Sequence, residues 1–365
     1  MAAPLIESLA TTELLAEVFS DISVLQAMLD FETALARAEA RVSILPKSAA
    51  DSIAAVARAN EFDIHALSRS MFRAGTPGIP VVKALTERVK ARDPEAARWV
   101  HWGATSQDVA DTALILLLKR AQIILAGDLE QLEKALAALS EEHRTTVMLG
   151  RTLMQAAPPV TFGLKVAGWF GAVSRGRKRL ESAFDDALAL QFGGASGTLA
   201  SLADNGIVVA RALAEELGLR YPEAPWHTHR DCLANLVCCC GLLTGSLGKV
   251  ARDISLLMQS EVAEVAEPGG EGRGGSSTMP HKRNPIACAL TLAAAQRVPG
   301  LIASFLSAMV QENERAVGGW QSEWPTIASI VQSSGVAASS MAPLWTVPIR
   351  RFSPRPITSH PTRGY

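Results

Sequence analysis

Apolar residues recur at helical spacing along most of this chain, at three- and four-residue intervals. The first such run covers residues 14–41, and Thr11, Thr12 and Glu13 form a helix-start signal ahead of it. A second helix is predicted over residues 47–60, a turn over Ala74-Gly75-Thr76-Pro77-Gly78-Ile79-Pro80, and a further helix over residues 82–92. From residue 109 the character changes. Residues 109–144 contain no proline and one glycine, and as a single helix they would be roughly 54 Å long. Residues 230–266 form a second proline-free run of similar length, with shorter helices predicted over 162–190 and 286–313 and a last one ending near Met341. Helices this long need neighbours along their whole extent, and stretches such as Ala113-Leu114-Ile115-Leu116-Leu117-Leu118 are too apolar for exposed rods. The pattern predicts an all-α chain built on a long multi-helix bundle, buried further by oligomerisation.

Composition agrees with helices. The 365 residues are 48% hydrophobic with only 5% aromatic, and Ala and Leu dominate. The formal net charge of −1 leaves no electrostatic footprint for nucleic acid. No apolar run is expected to reach a membrane span, and Met1-Ala2-Ala3-Pro4 lacks the charged start and apolar core of a secretory signal. The 5 cysteines include adjacent Cys238, Cys239 and Cys240 in an apolar helical stretch, which reads as core packing in a reducing cytoplasm rather than as a metal site. After residue 342 the pattern stops: Pro343 to Tyr365 holds 5 prolines, 4 arginines and no acidic residue, and cannot continue a helix. Three regions follow: an N-terminal helical domain over 1–108, a central long-helix domain over 109–342, and a Pro/Arg-rich tail over 343–365.

Three loops at helix ends carry chemistry. Gly274-Gly275-Ser276-Ser277-Thr278-Met279-Pro280-His281-Lys282-Arg283-Asn284-Pro285 joins mobile glycines to a proline-stiffened stretch with cationic and amide donors, suited to closing over an anion. His101-Trp102-Gly103-Ala104-Thr105-Ser106-Gln107-Asp108 precedes the first long helix. Thr105, Ser106 and Asp108 can cap that helix, its dipole favours bound anions, and His101 titrates near neutrality. Gly150-Arg151-Thr152-Leu153-Met154-Gln155 offers Thr152 and Gln155 as donors, though a plain structural corner explains the same residues. Gly193-Gly194-Ala195-Ser196-Gly197-Thr198 could present backbone N–H groups to a carboxylate or enolate, or be a small-residue junction. Glu312-Asn313-Glu314-Arg315 is read as a helix end whose Arg315 could clamp a carboxylate, or as a solvated terminus.

The first of these loops carries every fixed position of G-S-S-x-M-P-x-K-x-N-P, and the chain over roughly residues 10–340 resembles the fumarase/aspartase superfamily. Within it, the His101–Asp108 loop, Arg151 to Gln155 with Thr161-Phe162-Gly163, and Glu314-Arg315 followed by Gly319-Trp320-Gln321-Ser322-Glu323-Trp324 are most similar to the branch that lactonizes substituted cis,cis-muconates. The resemblance implies a cofactor-free and metal-free homotetramer whose active sites draw residues from several subunits, acting on a small di- or tricarboxylate. It implies Ser276 as the proton-transfer group, activated by Lys282, with His101 as an alternative acid/base or anion binder. Thr105, Ser106, Gln155, Ser277, Asn284 and Arg315 would hold substrate. Many superfamily lyases carry a catalytic His where this chain has Leu153, and leucine cannot move a proton. That departure disfavours adenylosuccinate lyase and other fumarate-releasing chemistry, which stay open as alternatives beside a catalytically silent bundle. The family's C-terminal helical domain of about a hundred residues is replaced here by the 343–365 tail.

Overall fold

The computed structural model describes residues 5–267, 274 and 283–342. Eleven α-helices and one two-stranded hairpin follow in order along them. The N-terminal part contains α1 (Glu13–Val18), α2 (Asp21–Arg41), α3 (Lys47–Val56), α4 (Ile64–Ala74) and α5 (Gly78–Arg92). The single helix predicted over 14–41 is two helices. Ser20 is extended (φ −67°, ψ 154°) and its side chain accepts from the Ser23 N–H, so it caps α2 and interrupts the run. The turn predicted over 74–80 is shorter than expected: Gly75, left-handed at φ 66°, ends α4, and α5 already begins at Gly78 because Pro80 is compatible with a first helical turn.

The central part begins with α6 (Ser106–Glu142), a 37-residue helix, which spans about 55 Å. The hairpin of β1 (Val147–Thr152) and β2 (Gln155–Thr161) follows, then α7 (Phe162–Ala187), α8 (Gly206–Leu217), α9 (Asp231–Leu257), α10 (Ile286–Ser307) and α11 (Gly319–Met341). Helix α9 packs against α7, α10 and α11, and α6 packs against α7, α11 and α2. One continuous apolar core joins them, from Leu15 and Phe31 through Leu114, Leu125 and Phe184 to Leu243 and Ile330. Helix α9 stops at Leu257, short of the predicted 266, and α10 stops at Ser307, short of the predicted 313. The segment Glu312–Arg315 therefore belongs to a loop before α11 rather than to a helix end.

The expectation that no run reaches a membrane span needs correcting. Helices α9 and α10 each hold an 18-residue window of mean hydropathy 1.5, long and apolar enough to cross a membrane by length and composition alone. In α9 61% of that window is buried inside the bundle, whereas in α10 only 28% is.

Candidate active site

The N-terminus of α6 gathers the site. Thr105 is the extended residue before the helix (φ −127°, ψ 162°), and the Asp108 Oδ2 accepts its N–H at 3.0 Å, the acidic half of a capping box. Arg315 reaches the same place from the loop before α11. Its Nη1 donates to Thr105 Oγ1 at 2.8 Å and its Nη2 to Ser106 Oγ at 3.1 Å. A guanidinium and two hydroxyls thus meet at the positive end of a 37-residue helix dipole, a corner chemically suited to a carboxylate. The corner is held tightly. A Cβ on Gly78 would lie 2.7 Å from Ser106 Cα, so α5 approaches the loop only because that residue is glycine. Gly103 is left-handed at φ 75° and would clash with Leu202 if it carried a side chain.

Asp108 is fully buried and saturated with donors. Its Oδ1 accepts from the Gly193 N–H at 3.0 Å and its Oδ2 from the Gly194 N–H at 2.9 Å, while His227 Nε2 lies 2.8 Å from Oδ1. The N–H groups of the Gly193-Gly194 turn do bind a carboxylate, but it is the protein's own. A buried carboxylate needs such partners, so these two donors are not available to a substrate.

One turn further along α6, Asp111 joins a buried ionic cluster. Arg230 donates to Asp111 through Nη1 at 2.8 Å and Nη2 at 3.0 Å, and to Glu323 through Nε at 2.9 Å and Nη2 at 2.6 Å. Trp320 Nε1 donates to Asp111 Oδ1 at 3.0 Å, and Gln311 donates to Glu323. Burial opposes the charge on Arg230, but the two carboxylates outweigh it and hold the guanidinium above its ordinary range. Burial likewise pushes Glu323 up, against the pull of Arg230. This cluster fastens α6 and α11 to the start of α9. None of Arg230, Asp111, Glu323 or His227 was identified by sequence. Asp111 lies inside the apolar run of α6, whereas His227 and Arg230 lie in the loop ahead of α9 and Glu323 in the first turns of α11.

His101 adopts a left-handed backbone at φ 62°, and its Nδ1 lies 2.7 Å from Oε1 of buried Glu32 on α2. Burial alone would lower the His101 pKa, but the Glu32 charge and hydrogen bond, with Asp108 behind them, raise it.

Other expected site residues lie apart. Gln155 is exposed and pairs with Thr152 beside the tip of a hairpin that follows the far end of α6, at whose start Thr105, Ser106 and Arg315 meet. The tip residues Leu153 and Met154 are left-handed (φ 49° and 67°) and 97% and 71% exposed. Arg151 forks onto Glu264 at 2.9 and 2.8 Å, tying the hairpin to the segment after α9. Asn284 donates its N–H to the Gly274 carbonyl at 3.0 Å. Ser276, Ser277 and Lys282 lie outside the described residues.

The cationic, hydroxyl-lined corner at the head of the long helix α6 is suited to binding an anion. The sequence profile of the Lyase family matches residues 9–300, and the chain belongs to that family, within the fumarase/aspartase superfamily. It is 51% identical over 337 residues to a 3-carboxy-cis,cis-muconate cycloisomerase of Bradyrhizobium diazoefficiens, covering 92% of this chain and 75% of that protein. It is 54% identical over 310 residues to a protein of the same name from Pseudomonas aeruginosa, covering 85% of this chain and 68% of that one. The crystal structure of the 3-carboxy-cis,cis-muconate lactonizing enzyme from Pseudomonas putida superposes with a TM-score of 0.91 at 45% identity, covering 95% of this chain and 77% of that chain.

Proposed function

We propose that the chain is an intramolecular lyase that interconverts 3-carboxy-cis,cis-muconate, or a close analogue such as 3-sulfomuconate, with its muconolactone in protocatechuate-type aromatic catabolism. The observation that carries this reading is the shared activity name of two relatives at 51% and 54% identity whose matches extend over 92% and 85% of the chain. The reaction adds a substrate carboxylate oxygen across an activated double bond. The displaced electron pair collects as an aci-carboxylate, and a proton then arrives at the carbon α to it. The nucleophile is internal, so the protein's main task is to orient a flexible diene and to stabilise that charge.

Arg315, Thr105 and Ser106 are assigned to a substrate carboxylate, supported by their convergence at the head of α6. Ser276 is assigned to proton transfer, aided by Lys282. Gln155, Ser277 and Asn284 would complete the pocket. Since Gln155 stands apart from the Arg315 corner within one chain, we assign it to the site of another subunit in a homotetramer working in the cytoplasm. Residues 1–108 would serve as an N-terminal helical domain and 109–342 as the bundle.

The test is the ultraviolet loss of the conjugated diene when purified protein meets 3-carboxy-cis,cis-muconate, with the 3-sulfo analogue and Ser276→Ala alongside. We expect lactone formation, and a loss of about 100-fold or more in turnover for the variant. No change with either diene, together with fumarate release from adenylosuccinate, would replace this reading with a fumarate-releasing lyase.

A further inference from the structure

We propose that Glu32 is a positioning residue for His101: its carboxylate engages Nδ1 and fixes the imidazole in one orientation, leaving Nε2 as the nitrogen that meets the substrate's acid group. The catalytic part of this inference rests on the lactonizing reading above, while the effect of Glu32 on the ring does not.

Glu32 occupies the buried face of α2 between Phe31 and Ala34, with 1% of its surface exposed. A carboxylate there is costly unless something pairs with it. His101 Nδ1, at 2.7 Å from Oε1, is the partner it has, and Oε2 has none among the described residues. With Nδ1 engaged by the carboxylate, Nε2 is the remaining ring nitrogen, and in the imidazolium it carries the second N–H. The backbone of His101 supports the same reading. A non-glycine residue at φ 62° is disfavoured and persists where its surroundings over-determine it, and here the ring is anchored from another element. The loop leads directly into Thr105 and Ser106, where Arg315 binds.

The charges around the ring are consistent. Glu32 faces it from α2 and Asp108 from α6, both favouring the imidazolium, while burial opposes it. His227 is engaged with Asp108, and Arg315 with the two hydroxyls. Glu39, two turns along α2, is also buried, but burial and the nearby Glu32 push it up to about 9, so it carries no charge near neutrality. The folded protein binds the His101 proton more tightly than an unfolded chain does. The stabilisation from this pair is present in full below the unfolded histidine pKa and is lost as pH rises through the higher folded value.

The decisive experiment follows the His101 ring by nuclear magnetic resonance in carbon-labelled histidine protein, its signal assigned by loss in His101→Gln. Wild type, Glu32→Gln and Glu32→Asp are titrated, and kcat/KM for the muconate is measured across the same pH range. We expect the His101 midpoint to lie above that of free imidazole in wild type, to move to lower pH in Glu32→Gln, and to be restored towards wild type in Glu32→Asp. The alkaline fall of kcat/KM should move with it. An unchanged midpoint in Glu32→Gln overturns the inference. So does a wild-type midpoint at or below the free value, which needs no variant to fold. A merely structural Glu32 would lower kcat/KM equally at all pH values without moving either midpoint. If the protein turns over neither diene, the activity reading fails, yet the ring titration still decides the role of Glu32.

Discussion

Glu39 is a buried carboxyl without a hydrogen-bond partner among the described residues. It sits on α2, and its pKa is raised to about 9 by burial first and by Glu32 second. An acid whose folded pKa exceeds its unfolded value binds its proton more tightly when folded. The contribution of this group to stability is then most favourable below about pH 4.5 and declines as pH rises towards 9. Removing the ionisable group should therefore help at neutral pH. Glu39→Gln is expected to be more stable than wild type by up to about 3 kcal/mol near pH 7, with the gain vanishing near the unfolded value. Urea unfolding at acidic and neutral pH measures this, and a difference that does not grow with pH would contradict it. At this scale the sequence was partly legible. Thr105, Ser106 and Arg315 could be picked out because hydroxyls at a helix start and a guanidinium have recognisable anion chemistry. Glu32 and Glu39 were not, although two carboxylates seven residues apart among Leu29, Phe31, Leu35 and Ala36 mark one apolar helix face bearing charge. The role of the Gly193-Gly194 donors stayed open in the sequence because their acceptor, Asp108, lies 85 and 86 residues earlier.

Between elements, the long helices are joined by charge as well as by apolar packing. Arg230 precedes α9, Asp111 sits in α6 and Glu323 in α11, and all three side chains are fully buried. Removing the cation strands two carboxylates in the core. Arg230→Met should cost about 3–5 kcal/mol, the size seen when one member of a buried ion pair is deleted. A drop in the urea midpoint at neutral pH tests it, and a variant as stable as wild type would mean the cluster contributes no net stability. Helix existence was readable from periodicity, since apolar runs of this length admit few alternatives. The ends were not: Ser20 breaks the first run, and α9 closes at Leu257 although apolar residues continue to Val265. The hairpin went unread because Leu153 and Met154 occupy left-handed turn positions where Asn and Gly are the usual signal. Such a tip holds its shape only with support, and the Arg151–Glu264 fork provides it.

In the whole molecule, the bundle leaves apolar surface that one chain does not cover. Leu164 on α7 is 66% exposed, Leu242 on α9 is 59% exposed and Leu306 on α10 is 41% exposed, and small residues accompany them: Gly168, Gly245, Ala293 and Gly300. Apart from the local helix backbone, nothing in the described residues lies within 4 Å of where a Cβ would stand on Gly168, Gly245 or Gly300. Long helices with exposed leucines beside small residues can pack closely against other helices. That geometry matches the proposed homotetramer, in which α10, so little buried in one chain, becomes interior. It also explains how Gln155 on an exposed hairpin could serve a site whose Arg315 corner belongs to another copy. Leu242→Arg places a charge on this surface without touching any residue assigned to substrate. We expect it to sediment as a smaller species than wild type while keeping its helical circular dichroism. Diene turnover should fall with it, because a separated chain holds Arg315, Thr105 and Ser106 but no partner's Gln155. If the variant stays assembled, this face of α9 is not the interface. If it dissociates and remains fully active, the site is complete within one chain, and Gln155 has no part in it.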